Sequence, residues 1–239
     1  MPSSTISTQT FNYLDAVKHR RSVYGVTDKV AVSNDRIVEI ANAVIQTCPS
    51  AWNMQSTRML ITLGQEHKHF WDTVITSAKP FVLENQGEEA WERNEGRFKS
   101  FQAAYGTVCI SCNTRERFLS DVAPKVDCAQ QISLYEDHDS IEELSKKFAK
   151  VPLSVLEGYA EHSNAMHQIT LWTALELEGL GASLQHSQNV PGVEEGIKSA
   201  FKIPDSWAIK AEILFGGLPE EMPEALEKKS VLKTVRVFK

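Results

Sequence analysis

Between Tyr159 and Glu178 the chain carries Ala165, Met166, Ile169, Trp172, Ala174, Leu175 and Leu177 at helical spacing, a wide apolar face of the kind a central helix presents. Gly179-Leu-Gly181 terminates this helix, and a short buried strand, Ala182 to Leu184, follows at once. A long helix feeding directly into a strand needs further layers around it. The remaining periodicities supply them. Leu14, Ala16 and Val17 open a short helical stretch that ends near Arg21. Ser33 reads as the N-cap of a helix with Ile37, Val38, Ile40, Ala41, Val44 and Ile45 on one side, and Cys48-Pro49-Ser50 stops it. Met59 to Leu63 reads as a strand and Glu66 to about Ser77 as a helix. Glu88 to about Ala104 is a charged helix with Trp91, Phe98 and Phe101 on its apolar side. Residues 105–112 form a second strand. Val193 to Phe201 is a short helix, Ala208, Ala211, Ile213 and Phe215 mark another strand, and Val235 to Phe238 a terminal one.

With no repeat, linker or low-complexity tract, 239 residues divide into a mobile Ser/Thr-rich start over 1–10 and one α+β domain over 11–239. Within it, 113–151 is a weakly periodic surface excursion with one or two short helices such as 140–149. The net charge of -6 offers no broad attraction for nucleic acid or anionic lipid. No apolar run approaches the roughly 20 residues that span a bilayer, and the first residues lack the pattern of a signal peptide. The expected setting is cytoplasmic.

Several sites that the residues could suggest do not survive their context. Cys109 and Cys112 form a CxxC, but residues three apart on a strand point to opposite faces, so the thiols diverge. They read as small buried side chains, not as a redox pair or half a zinc site. Four cysteines, at 48, 109, 112 and 128, make no secreted-type disulfide framework. Gly179-Leu-Gly181 follows a helix, whereas a dinucleotide-binding glycine turn follows a strand and opens a helix. His162 and His167, five apart, point about 140° apart on a helix. No HExxH or GxSxG occurs, so neither a metal site nor a hydrolase triad is expected.

Two segments remain. Arg20-Arg21-Ser22 can neutralise the end of the first helix. The same side chains offer planar fork donors and a hydroxyl, which suit a phosphate monoester and negative charge on a carbonyl-rich ring. Pro49-Ser-Ala-Trp-Asn-Met-Gln55 can be turn chemistry, or it can hold amide and hydroxyl groups against a heteroaromatic edge. Spacing alone leaves both pairs of readings open.

Five segments in order carry a resemblance: Lys18-His-Arg-Arg-Ser-Val-Tyr24, Pro49 to Gln55, Phe101-Gln-Ala-Ala-Tyr-Gly-Thr107, Glu161-His-Ser-Asn-Ala-Met-His-Gln through Leu184-Gln-His186, and the closing Lys-x-Val-Arg-Val-Phe. Together they resemble the nitroreductase superfamily, in particular its fungal and bacterial branch of fatty-acid-repression type. The resemblance implies a mostly antiparallel central sheet wrapped by helices, in a homodimer that holds FMN at its interface. By position, Arg20 and Ser22 resemble contacts to the phosphate and ribityl chain, with Arg21 beside them. Ser50, Ala51, Asn53 and Gln55 resemble a loop that meets the flavin of the other subunit. Gln185 and His186 stand where backbone donors face the N5 and O4 edge, and Lys229 and Arg236 are candidates for a C-terminal phosphate contact. Val231 departs from the family pattern, as does the Cys-Ile-Ser-Cys-Asn run.

In such a site flavin N5 carries the chemistry and the protein orients and polarises it, so no dedicated catalytic acid or base is expected. The expected reaction passes hydride from NADH or NADPH through the flavin to a nitroaromatic, quinone or similar conjugated small molecule. Two alternatives stand beside it: a flavin-dependent oxidase or dehydrogenase of a biosynthetic intermediate, and a flavin-binding regulatory dimer in stress or lipid signalling with little turnover.

Overall fold

The computed structural model describes residues 13–113 and 153–222, with Glu224 and Arg236. The expectations for 1–10, for the excursion with its 140–149 helix, for Lys229 and for the 235–238 strand therefore lie outside the described residues. The helices described are α1 (Tyr13–His19), α2 (Asn34–Thr47), α3 (Gln65–Gln86), α4 (Glu88–Gln102), α5 (Leu153–Leu177) and α6 (Val193–Phe201). The strands are β1 (Thr57–Leu63), β2 (Gly106–Asn113), β3 (Gly181–Gln185) and β4 (Trp207–Gly216). The sheet runs β1-β2-β4-β3 and every pairing is antiparallel. This is an α+β fold, as expected.

Alternation along β2 and β4 sends side chains to two cores. Val108, Ile110, Ala182, Ile213 and Phe215 pack with α2 and with Leu171, Trp172 and Leu175 of α5. Cys109 and Leu214 point the other way, toward Phe70, Trp71 and Val74 of α3, Trp91, Phe98 and Phe101 of α4, and Ile197 of α6. A register shift where Ile110 and Ser111 face Ala211 and Ile209 lets Ile209 join the second core although Ile213, on the same alternation, serves the first. Only part of the apolar face expected on α5 joins this layer: Leu171, Trp172 and Leu175 are buried and Ala174 partly so, whereas Ala165, Met166 and Leu177 are exposed.

Local signals act as the sequence dictates at most boundaries. The Ser33 hydroxyl accepts from the Arg36 amide and caps α2. Gly179, at φ +84, ends α5: its N–H reaches the Glu176 carbonyl and the next N–H reaches that of Leu175, both characteristic of a left-handed glycine stop. α3 departs from expectation. It runs nine residues past Ser77, through Pro80, until Gly87 at φ +84. Proline costs the helix one hydrogen bond, but Ala78 and Val82 beyond Ser77 are buried in the second core, and that burial offsets the loss. α5 also begins earlier than its apolar face indicates, at Leu153.

His67 shows what a lone core histidine does. Its Nε2–H donates to the Phe101 carbonyl at 3.1 Å, so Nδ1 accepts from the Thr107 hydroxyl at 3.0 Å, whose oxygen in turn accepts from Trp71 Nε1 at 3.0 Å. Burial lowers the imidazole pKa to about 4. The unfolded state therefore takes up a proton near pH 6.5 and the folded state only near 4, so the contribution of neutral His67 is lost as pH falls through that window. The buried carboxyls of Glu176 and Glu212 are shifted upward by desolvation and act with the opposite sign, favouring the fold as pH falls. Urea unfolding of wild type against His67→Gln isolates the histidine: wild type should lose about 3 kcal/mol relative to the variant between pH 7.5 and 4. A constant difference would show that His67 takes up its proton at the same pH in the folded and unfolded states.

Candidate functional site

The chain after α1 turns back along the open edge of the sheet. Val23 N donates to the Ala182 carbonyl at 2.9 Å, and Ser22 bridges Ala182 in parallel. This approach requires Gly181: a Cβ there would lie 2.7 Å from Val26 Cγ1 and 2.9 Å from Val23 Cγ1. Arg20, Arg21 and Ser22 are thereby laid beside the strand that leads to Gln185 and His186. Ser22 thus lies beside Ala182, three residues before Gln185.

Arg20 does not close the end of α1 with its side chain. Its guanidinium carbon stands 4.2 Å from the Trp172 ring centroid, over the indole face, and its Nε is buried without a hydrogen-bond partner. Arg21 is half-buried and Ser22 exposed. The Arg21 backbone N–H donates to Glu176 Oε2 at 3.0 Å, and Trp172 Nε1 donates to Glu176 Oε1 at 2.7 Å. Desolvation raises the Glu176 pKa, opposed by those two bonds and by the fields of both arginines. A donor left unpaired in the interior costs about 1–3 kcal/mol; beside an exposed hydroxyl and a second cation, it fits an anionic oxygen brought by a ligand.

Past β3, Gln185 is buried. Its Oε1 accepts from Arg97 at 3.1 Å and its Nε2 donates to Ser183 Oγ at 3.1 Å, so the side chain is engaged toward α4. His186 is exposed and precedes a turn of 3-10 helix, Ser187–Asn189. Glu212, fully buried in β4, fastens that turn: its carboxylate accepts from Ser187 N at 2.9 Å, Ser187 Oγ at 2.8 Å and Gln188 N at 3.2 Å.

The other expected loop lies elsewhere. Ala51–Asn53 is a 3-10 turn in which Trp52, Asn53 and, just beyond, Gln55 have φ of 52°, 56° and 49°. Left-handed backbone costs roughly 1 kcal/mol or more at each non-glycine residue. The loop is held by Gln55 N donating to Ser50 Oγ at 3.0 Å and by Ala51 N donating to Ser163 Oγ on α5 at 3.3 Å. Asn53 and Gln55 are exposed and bond one another at 3.3 Å, and Trp52, 48% exposed, meets Tyr159 edge-on. Ser163 and Trp172 are nine residues apart on one helix, roughly 13 Å along its axis. Within one chain the 50–55 loop is thus remote from Arg20. Arg236 is exposed.

Sequence reading passed over four residues: Trp172, counted as helix face, Glu176, Arg97 and Glu212. Glu212 had a visible signal, a lone carboxylate inside Ala-Glu-Ile-Leu-Phe, where strand alternation makes its burial predictable. Among the described residues no group of three or more His, Cys, Asp or Glu can hold a metal. No described helix is long and apolar enough to cross a membrane. His167 is a core residue whose Nδ1 lies 2.7 Å from the Ser163 carbonyl, and Cys109 is buried with its thiol pKa pushed up by desolvation.

A family model described as the nitroreductase family matches residues 17–217. The Saccharomyces cerevisiae nitroreductase FRM2 is 30% identical over 233 residues, covering 96% of this chain and 98% of that protein. Nitroreductase CinD from Lactococcus lactis, solved with chloramphenicol, superposes with a TM-score of 0.72 at 20% identity, covering 95% of this chain and all of the other. A protein of Exiguobacterium sibiricum 255-15, solved in complex with FMN, superposes with a TM-score of 0.66 at 15% identity over 96% and 99% of the two chains.

Proposed function

The chain belongs to the nitroreductase family of flavin-dependent oxidoreductases, and from that premise we propose that it binds FMN through Arg20, Arg21 and Ser22 and uses NADH or NADPH to reduce nitroaromatic, quinone or similar conjugated acceptors. The observation that carries the reading is the buried, unpartnered Nε of Arg20, with its guanidinium over the Trp172 ring. FMN, when bound, would supply the redox chemistry that carries a hydride equivalent from the nicotinamide to the acceptor. The residues of the chain bind and orient. Arg20 and Arg21 would give positive charge, Ser22 a hydroxyl donor, and the Gln185-His186 backbone, which leads into the turn that Glu212 fastens at Ser187 and Gln188, would hold the ring edge.

The same reading takes the functional unit to be a cytoplasmic homodimer in which 11–239 forms one domain. Ser50, Ala51, Asn53 and Gln55 sit too far along α5 from Arg20 to serve the same flavin in one chain, which suits a loop that serves the flavin of a second copy. Lys229 and Arg236 remain the proposed C-terminal phosphate contacts.

Steady-state consumption of NADH and NADPH with a panel of nitro and quinone acceptors tests the activity. Turnover well above that of free FMN is expected. Rates equal to free flavin would support a binding module instead, and flavin reduction by an organic intermediate but not by nicotinamide would support an oxidase or dehydrogenase.

A further inference from the structure

We infer that Trp172 and Glu176 are positioning residues that hold Arg20 and Arg21 ready for a phosphate, and so set the preference of this site for a phosphorylated flavin over an unphosphorylated one. The inference rests on the flavin reading above and adds to it residues that never need to touch the ligand.

A free arginine side chain samples many rotamers, and any ligand that fixes it must offset that lost freedom. Here the freedom is already spent in folding. The Arg20 guanidinium lies 4.2 Å from the centroid of the Trp172 ring, where the electron-rich face attracts a planar cation. Trp172 is nearly buried among Leu171, Leu175 and α2, so the platform cannot swing away. Its orientation is fixed at the edge by the 2.7 Å bond from Nε1 to Glu176 Oε1, one helical turn on.

Glu176 completes the link. Its second oxygen accepts from the Arg21 backbone N–H at 3.0 Å. One carboxylate therefore ties the indole beneath Arg20 to the main chain of the next residue, fixing both the side chain and the turn that carries it. Both oxygens are engaged by N–H groups, and the two guanidinium groups act on the carboxylate through space. The arginine donors thus stay available to a ligand. A core tryptophan with a satisfied indole would not need the guanidinium over its face, nor would Glu176 need its second bond to the Arg21 N–H, and the unpartnered Arg20 Nε shows that the arrangement is incomplete without a further acceptor.

Dissociation constants of FMN and riboflavin, measured by flavin fluorescence quenching, separate the role from simple packing. Wild type should bind FMN more tightly than riboflavin. Trp172→Leu removes the platform and should weaken FMN roughly tenfold, with riboflavin changed less than about twofold. Trp172→Phe, which keeps a ring face but loses the Nε1–H, and Glu176→Gln, which keeps the shape but loses one acceptor, should shift the ratio in the same direction by less. These conservative variants carry the test if Trp172→Leu fails to fold, as thermal melts would report. An unchanged ratio in the folded variants, or an equal loss for both ligands, would overturn the positioning role while leaving the flavin reading intact. If wild type bound neither ligand, the flavin reading itself would fall, and this inference with it.

Discussion

Arg20→Ala should weaken FMN binding by about 10- to 100-fold while leaving the thermal midpoint of the flavin-free protein within a few degrees of wild type. The magnitude follows from the kind of bond at stake. A hydrogen bond to a charged group contributes about 1.5–3 kcal/mol, and each 1.4 kcal/mol is tenfold in affinity. The neutrality toward folding follows from position, because the side chain lies over Trp172 and its Nε makes no bond that the fold needs. Isothermal titration with FMN, paired with a thermal melt, checks both halves. Loss of the fold would make Arg20 a structural brace, and wild-type affinity would remove it from the site. Arg20→Lys should recover only part of the affinity, since an ammonium keeps the charge but not the planar stack and fork.

Glu212→Leu should have the largest effect on stability, a loss of about 3–5 kcal/mol. The carboxylate is fully buried and accepts from Ser187 N, Ser187 Oγ and Gln188 N. Leucine would satisfy none of these, leaving interior donors unpaired. For a chain of this length the loss corresponds to a fall of roughly 10 °C in Tm. Glu212→Gln retains one acceptor and should lose less than half as much. Urea unfolding followed by circular dichroism reads the stability, and FMN titration of the folded Gln variant reads the site. Because the same turn follows Gln185 and His186, flavin affinity should fall with stability; a stability loss without an affinity loss would separate the turn from the ring edge.

Much of the fold is readable from single residues acting locally. Ser33 starts α2, Gly179 ends α5, and the two-residue alternation of β2 and β4 sets two cores with Cys109 and Val108 on opposite sides. What failed was a local rule overruled from a distance: Pro80 should have limited α3, yet burial of Ala78 and Val82 carried the helix on to Gly87. The site was legible only in part for the same reason. Arg20, Arg21 and Ser22 stood out as charge and hydroxyl at a helix end. Their setting depends on contacts across about 155 residues of chain, from Arg21 to Glu176, that no window of sequence displays. Trp172 belonged to an apolar stripe at helical spacing, and nothing in that pattern separates a core indole from one that carries a guanidinium. The 50–55 loop showed its polar groups but not its left-handed backbone, because none of Trp52, Asn53 and Gln55 is glycine, the residue that ordinarily marks such a conformation.

That the chain holds FMN and that NADH or NADPH reduces it is tested most directly by one spectroscopic measurement. Purified protein is mixed with excess FMN, passed through a desalting column, and titrated anaerobically with NADH and then with NADPH. The expected result is a visible flavin band that elutes with the protein and bleaches on addition of at least one of the two reductants. Flavin that separates fully from the protein on the column would contradict the account.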